Sequence, residues 1–98
     1  MIEHIVLFKV AEGTPAEQTK AMMRGLKSLK TEIPEVVSLS CGPNISDRGD
    51  GFTHGLVVRL ESPEALETYL EHPRHQQLVQ EVVLPIAEKI VVCDYVVE

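Results

Sequence analysis

Four side chains of this sequence could do acid–base chemistry together: His4, His54, Tyr69 and His75. A neutral imidazole is the natural base near pH 7. Burial should lower its pKa, keeping it unprotonated and able to accept a proton. A Tyr hydroxyl can polarise a carbonyl by hydrogen bonding. The pair suits proton abstraction beside a carbonyl, as in an aldol-type cyclisation or an isomerisation. His75 is the candidate base and Tyr69 the candidate donor, with His4 and His54 as orienting groups. The same residues could instead form a polar network in which each group satisfies another.

The elements that carry them decide whether they meet. His4 is in phase with Val6 and Phe8 on a first strand, and His54 with Leu56, Val58 and Leu60 on a third. Both lie near the starts of their strands, so they are expected at similar heights beneath the helices. Tyr69 falls three residues after Leu66, on the buried side of a second helix. The His72-Pro73 break can turn His75 back under the sheet. Leu56, with Met22 and Leu26 on the first helix, is expected to line the same space. An open cavity of roughly 300 Å³ or more around His75 and Tyr69 would favour binding or catalysis; both residues capped by Leu or Met side chains with no void would favour the polar network. His72 reads as a helix-end residue, where the dipole favours a cation. No metal is expected: Pro73 makes a site shared by His72 and His75 awkward, and no Cys or carboxylate completes one. No cofactor is expected either.

The supporting pattern is β-α-β-β-α-β. Ile2 to Val10 reads as a strand that is apolar on both faces. Gly13 breaks it. Thr14 can cap a helix, with Pro15 at its first position and Glu17 completing a capping box. Met22, Leu26, Leu29 and Ile33 make that helix's buried stripe, and Pro34 ends it. A second strand is expected over Val36 to Cys41 and a third over Phe52 to Glu61. The polar loop 42–51 between them is a candidate lid or rim. Ser62-Pro63-Glu64 starts the second helix. Beyond the break, Leu78, Val79, Val82 and Val83 make a buried side. Lys89 to Val97 is the last strand. This order predicts one α+β domain over residues 1–98 with a ferredoxin-like fold: an antiparallel four-stranded sheet, order 4-1-3-2, with helices on one face.

Helices on one face leave the other uncovered, and the first and last strands are apolar there too. Such a patch calls for a partner sheet, and a two-fold homodimer closing a β-barrel supplies it. The two cysteines, Cys41 and Cys93, fall on opposite edge strands, roughly 14 Å apart by strand spacing. An intrachain disulfide needs about 7 Å or less. They are expected as buried free thiols in a reducing, cytoplasmic setting. Net charge is −6 with nine scattered Lys and Arg, which disfavours nucleic acid and anionic membranes. No apolar run approaches a membrane span, and Met1-Ile2-Glu3 with Lys9 is unlike a signal peptide.

Several short segments together resemble the stress-responsive A/B barrel (Dabb) family. They are His4-Ile5-Val6-Leu7-Phe8-Lys9, Ile33-Pro34-Glu35-Val36, Gly42 with Asn44, Phe52-Thr53-His54-Gly55, Tyr69 with His72-Pro73-Arg74-His75, and Asp94-Tyr95. The resemblance runs along essentially the whole chain. It implies a ferredoxin-like subunit in a barrel homodimer, but no single function. In one plant member, a cofactor-free polyketide cyclase, the match of His75 is the base and the match of Tyr69 assists. The matches of His4 and His54 line its pocket. That pocket uses aromatic residues on the first helix, where this chain has Met22, Met23 and Leu26. The leading expectation is a homodimer binding a small apolar, phenolic or polyketide-like molecule in a His/Tyr-lined pocket. The alternatives are a cofactor-free lyase, cyclase or isomerase and, less directly, a cofactor-free monooxygenase of the wider superfamily.

Overall fold

The computed structural model describes residues 1–98. In chain order the elements are β1 (Ile2–Val10), α1 (Ala16–Glu32), β2 (Ser38–Pro43), β3 (His54–Leu60), α2 (Pro63–Glu71), α3 (Pro73–Leu78) and β4 (Ala87–Val96). A π-helical turn, Val79–Val83, follows α3. The sheet order is β2-β3-β1-β4, and every neighbouring pair is antiparallel. This is the ferredoxin-like arrangement the element pattern implies.

Local chemistry explains most boundaries. Ser62 caps α2, its Oγ accepting from the Ala65 N–H at 3.1 Å, and Pro63 opens the helix. The break after α2 depends on His72. Its Nδ1 accepts from the Arg74 N–H at 3.1 Å and so caps α3. His72 serves both helices: its backbone N–H donates to the Tyr69 carbonyl at 3.2 Å and ends α2, as expected, while its side chain starts α3. The expected Thr14 cap fails. Pro15 stands at the N-cap of α1 with no side-chain hydrogen bond, and the Glu17 capping box does not form. Thr14 Oγ1 donates instead to the Ala11 carbonyl at 2.6 Å, closing the preceding turn. β2 starts at Ser38 because the Val36 N–H turns back to the Ile33 carbonyl at 3.2 Å.

The two faces of the sheet differ. On the helical side Ile2, Val6, Phe8, Leu56, Val58 and Leu60 are buried against Met22, Leu26 and Leu29 of α1. On the other side nothing covers Ile5, Leu7, Val57, Val91, Cys93 and Tyr95. Leu7 is 40% exposed, Val57 38%, Val91 40% and Tyr95 47%. The register sets Ile5 between Val57 and Cys93, and Leu7 between Gly55 and Val91. An ion pair of Glu3 with Arg59 borders this patch. Both thiols are free, on opposite edge strands as expected, but neither is buried: Cys41 is half-buried on its edge strand, and Cys93 is exposed because it lies on this open face. No helix is long and apolar enough to cross a membrane.

Candidate functional site

β1, α2 and α3 bring three polar rings to one apolar cavity of about 180 Å³. β1 contributes His4 from near its start, α2 contributes Tyr69, and α3 contributes His75. The Tyr69 and His4 ring centroids are 5.8 Å apart, and those of Tyr69 and His75 are 4.7 Å apart. Val6, Phe8 and Leu56 form the sheet side of the cavity, with Leu26, Leu29 and Leu78 on the helical side.

Each ring is held differently. The His75 Nδ1 lies 3.1 Å from the Leu70 carbonyl. A carbonyl only accepts, so Nδ1 carries the proton and Nε2 of the neutral ring keeps its lone pair. Burial lowers the His75 pKa, a backbone hydrogen bond to Leu70 raises it, and the nearby His4 and His72 lower it. The net direction is down, which favours the free base at neutral pH. His4 Nδ1 donates to Asp94 Oδ1 at 2.5 Å across the β1–β4 ladder, where the two residues are register partners. That carboxylate orients the imidazole, as second-layer carboxylates do for histidines elsewhere. Tyr69 is fully buried, and its hydroxyl has no hydrogen-bond partner within the chain. Burial pushes its pKa up, so it stays a protonated donor.

Five of the seven residues expected here do line the cavity: His4, Leu26, Leu56, Tyr69 and His75. His54 and Met22 do not. The strands run antiparallel, so residues near their starts lie at opposite ends of the sheet. His54 faces Phe8 in the register, four residues along β1 from His4, or about 13 Å at the usual strand rise. Its Nδ1 lies 2.8 Å from Thr53 Oγ1, which donates to the Phe8 carbonyl and accepts from the Val10 N–H. His54 therefore joins a network that ties the β3 start to the end of β1. Met22 is fully buried in the core instead. The 42–51 loop contributes nothing to the cavity. It folds back on itself, Asn44 Nδ2 donating to the Phe52 carbonyl at 2.9 Å. Sequence reasoning gave Asp94 no role at the site, although it is the one acid in the otherwise apolar phase Ile90, Val92, Val96. No three His, Cys, Asp or Glu side chains cluster to hold a metal ion.

The lowered imidazole pKa values fix a sign. Burial holds His75 and His54 below the ordinary value of 6.5. The unfolded chain therefore takes up protons near that pH before the folded chain does. Their contribution to stability is complete above about pH 6.5 and is lost as pH falls through the folded values. The urea midpoint of unfolding should fall between pH 7.5 and pH 5.5. His75→Gln should reduce that fall, and an unchanged pH slope in the variant would contradict the assignment.

The sequence pattern described as the stress responsive A/B barrel domain matches residues 2–97. The chain belongs to this family. Its A/B barrel relatives include a stress-response A/B barrel domain-containing protein of Arabidopsis thaliana, 37% identical over 100 residues. The match covers 100% of this chain but only 37% of the Arabidopsis protein, so the chain spans little more than a third of that relative. Olivetolic acid cyclase of Cannabis sativa is 24% identical, with 96% of this chain and 94% of the cyclase covered. Among solved structures, the hydroxynitrile lyase of Passiflora edulis superposes with a TM-score of 0.90 at 25% identity, covering 99% of this chain and 93% of the lyase. A dimeric ferredoxin-like protein of Thermobifida fusca shares the subunit fold, with a TM-score of 0.86 at 21% identity over 98% and 90% of the two chains.

Proposed function

We propose that this protein is a homodimer whose protomers each bind a small, largely apolar molecule carrying one carbonyl or hydroxyl oxygen. The observation that carries the reading is the Tyr69 hydroxyl, buried and without a partner, on a ring that lines a largely apolar cavity with His4 and His75. Leaving a buried hydroxyl unpaired costs about 1–3 kcal/mol. A ligand oxygen within reach of Tyr69 removes that cost, and His75 Nε2 can accept a proton from the same molecule. The cavity, at about 180 Å³, is smaller than the roughly 300 Å³ of ordinary ligand pockets. It is larger than the roughly 150 Å³ cavity that takes up benzene in an engineered protein. The ligand is accordingly of about one-ring size, and a long-chain polyketide is too large for it. The open apolar sheet face supports the dimer, as does the dimeric state of the Thermobifida neighbour. The unpaired thiols suit a reducing, cytoplasmic setting.

A second reading, cofactor-free lyase, cyclase or isomerase chemistry, is favoured by the free Nε2 of His75. The naming of two relatives as a cyclase and a lyase points the same way. Here His75 would take a proton from the carbon next to a carbonyl, leaving the C–H electron pair in an enolate. Tyr69 would donate a hydrogen bond to the developing oxygen anion. Returning the proton from His75 to carbon completes the cycle without a redox partner. Hydrogen–deuterium exchange at the α-carbon of acetophenone in D₂O reads this step without knowledge of the natural substrate. The expected result is catalysed exchange that drops about 100-fold in His75→Ala. Equal exchange rates with and without the protein would leave binding as the function.

A further inference from the structure

We infer that Leu78, seated in a notch at Gly25, sets the size limit of the cavity and restricts it to one-ring ligands. The inference rests on the ligand-site reading above. Gly25 lies in the interior of the α1 helix, where glycine is unfavourable compared with alanine. Packing supplies its reason. A Cβ built on Gly25 overlaps Leu78 Cδ1, with Cγ at 3.5 Å and Cδ2 at 3.6 Å. The missing side chain is thus the space that receives the Leu78 isobutyl group. Leu78 is 1% exposed and also lines the cavity. One side of this group fills α1's notch and the other bounds the ligand. Val79 and Val83, which bracket the π-helical turn, line the cavity as well. The turn therefore continues the wall that Leu78 begins. At about 180 Å³, the space left is little more than the roughly 150 Å³ that admits benzene. A second fused ring would need the volume that Leu78 occupies.

The two positions then predict opposite changes. Gly25→Ala improves helix propensity but closes the notch, so Leu78 must swing toward the cavity. Leu78→Ala enlarges the cavity, and Leu78→Val does so more mildly should the alanine variant lose its fold. Benzaldehyde and 2-naphthaldehyde serve as probes, with affinity read from NMR chemical-shift titration. Gly25→Ala should weaken benzaldehyde binding about tenfold, and the Leu78 variants should improve 2-naphthaldehyde binding by a similar factor, the usual scale for a methylene or two in an apolar pocket. The Gly25→Ala/Leu78→Val double variant should regain benzaldehyde affinity. If wild type binds benzaldehyde but the preference between probes is the same in every variant, the Leu78 assignment is overturned while the ligand site stands. If wild type binds neither probe, the ligand site itself falls. The wall is then read from pressure unfolding, whose volume change scales with internal void. It should shrink in magnitude in Gly25→Ala and grow in Leu78→Val, and equal values overturn the assignment.

Discussion

Replacing Tyr69 with Phe should make the protein more stable and worse at holding its ligand. The ring fills the same space in either residue, so the packing around it survives. Only the hydroxyl is lost, and in the ligand-free chain that hydroxyl is buried without a partner. Removing an unsatisfied buried polar group should stabilise by about 1 kcal/mol. For a domain of this size that is a rise in melting temperature of about 4–8 °C. Binding should move the other way. A ligand carbonyl loses its hydrogen-bond donor, which costs about tenfold in affinity for a bond worth near 1.4 kcal/mol. Thermal melts of both proteins, with and without benzaldehyde, measure the two effects in one experiment, because a ligand bound only to the folded state raises the apparent melting temperature. A variant that melts lower and binds equally well would mean the hydroxyl has a partner in the dimer. The ligand reading would then lose its main support.

The second large effect concerns the uncovered sheet face. Ile5→Asp should dissociate the dimer. Ile5 sits between Val57 and Cys93 in the register, with Leu7 and Val91 in the adjoining row. In a face-to-face dimer an aspartate there becomes a buried, unpaired carboxylate, at a cost of about 3 kcal/mol or more per copy. A two-fold axis inserts that charge twice. Sedimentation of wild type should show about twice the protomer mass, and Ile5→Asp should sediment at the 10.9 kDa of one chain. Wild type sedimenting as a single chain at micromolar concentration would remove the dimer altogether. Lys20 and Glu17, an exposed pair on α1 away from the patch, are the contrasting control. Exposed ion pairs contribute about 0–1 kcal/mol, so neutralising Lys20 should leave the dimer intact.

Much of the fold could be read locally. Period-two alternation separates Ile5 and Leu7 from His4, Val6 and Phe8, and the sheet keeps that separation. The helical stripe of Met22, Leu26, Leu29 and Ile33 is buried throughout. Ser62-Pro63 starts α2 and His72-Pro73 divides it from α3. The helix caps turn on competing local bonds. Thr14 and Pro15 compete for one cap, and residue types alone do not say that the Thr14 hydroxyl closes the turn at Ala11. His72 reads as the end of one helix, and only the acceptance of the Arg74 N–H by its Nδ1 shows that it also starts the next.

The candidate site divides in the same way. Its residue types and the side of each element they occupy were set by the chain itself, because covalent geometry alone fixes periods of 2 and 3.6. Distances along the sheet were not. Antiparallel register decides that His54 meets Phe8 at one end while His4 meets Asp94 nearer the other. Register comes from pairing between segments far apart in sequence, which no local pattern encodes. The unpartnered Tyr69 hydroxyl and the small volume beside it arise in the same non-local way, from how α2 and α3 settle against β1. His4, Tyr69 and His75 were therefore legible as acid–base groups on buried faces, and only the tertiary structure made them one site and separated His54 from it.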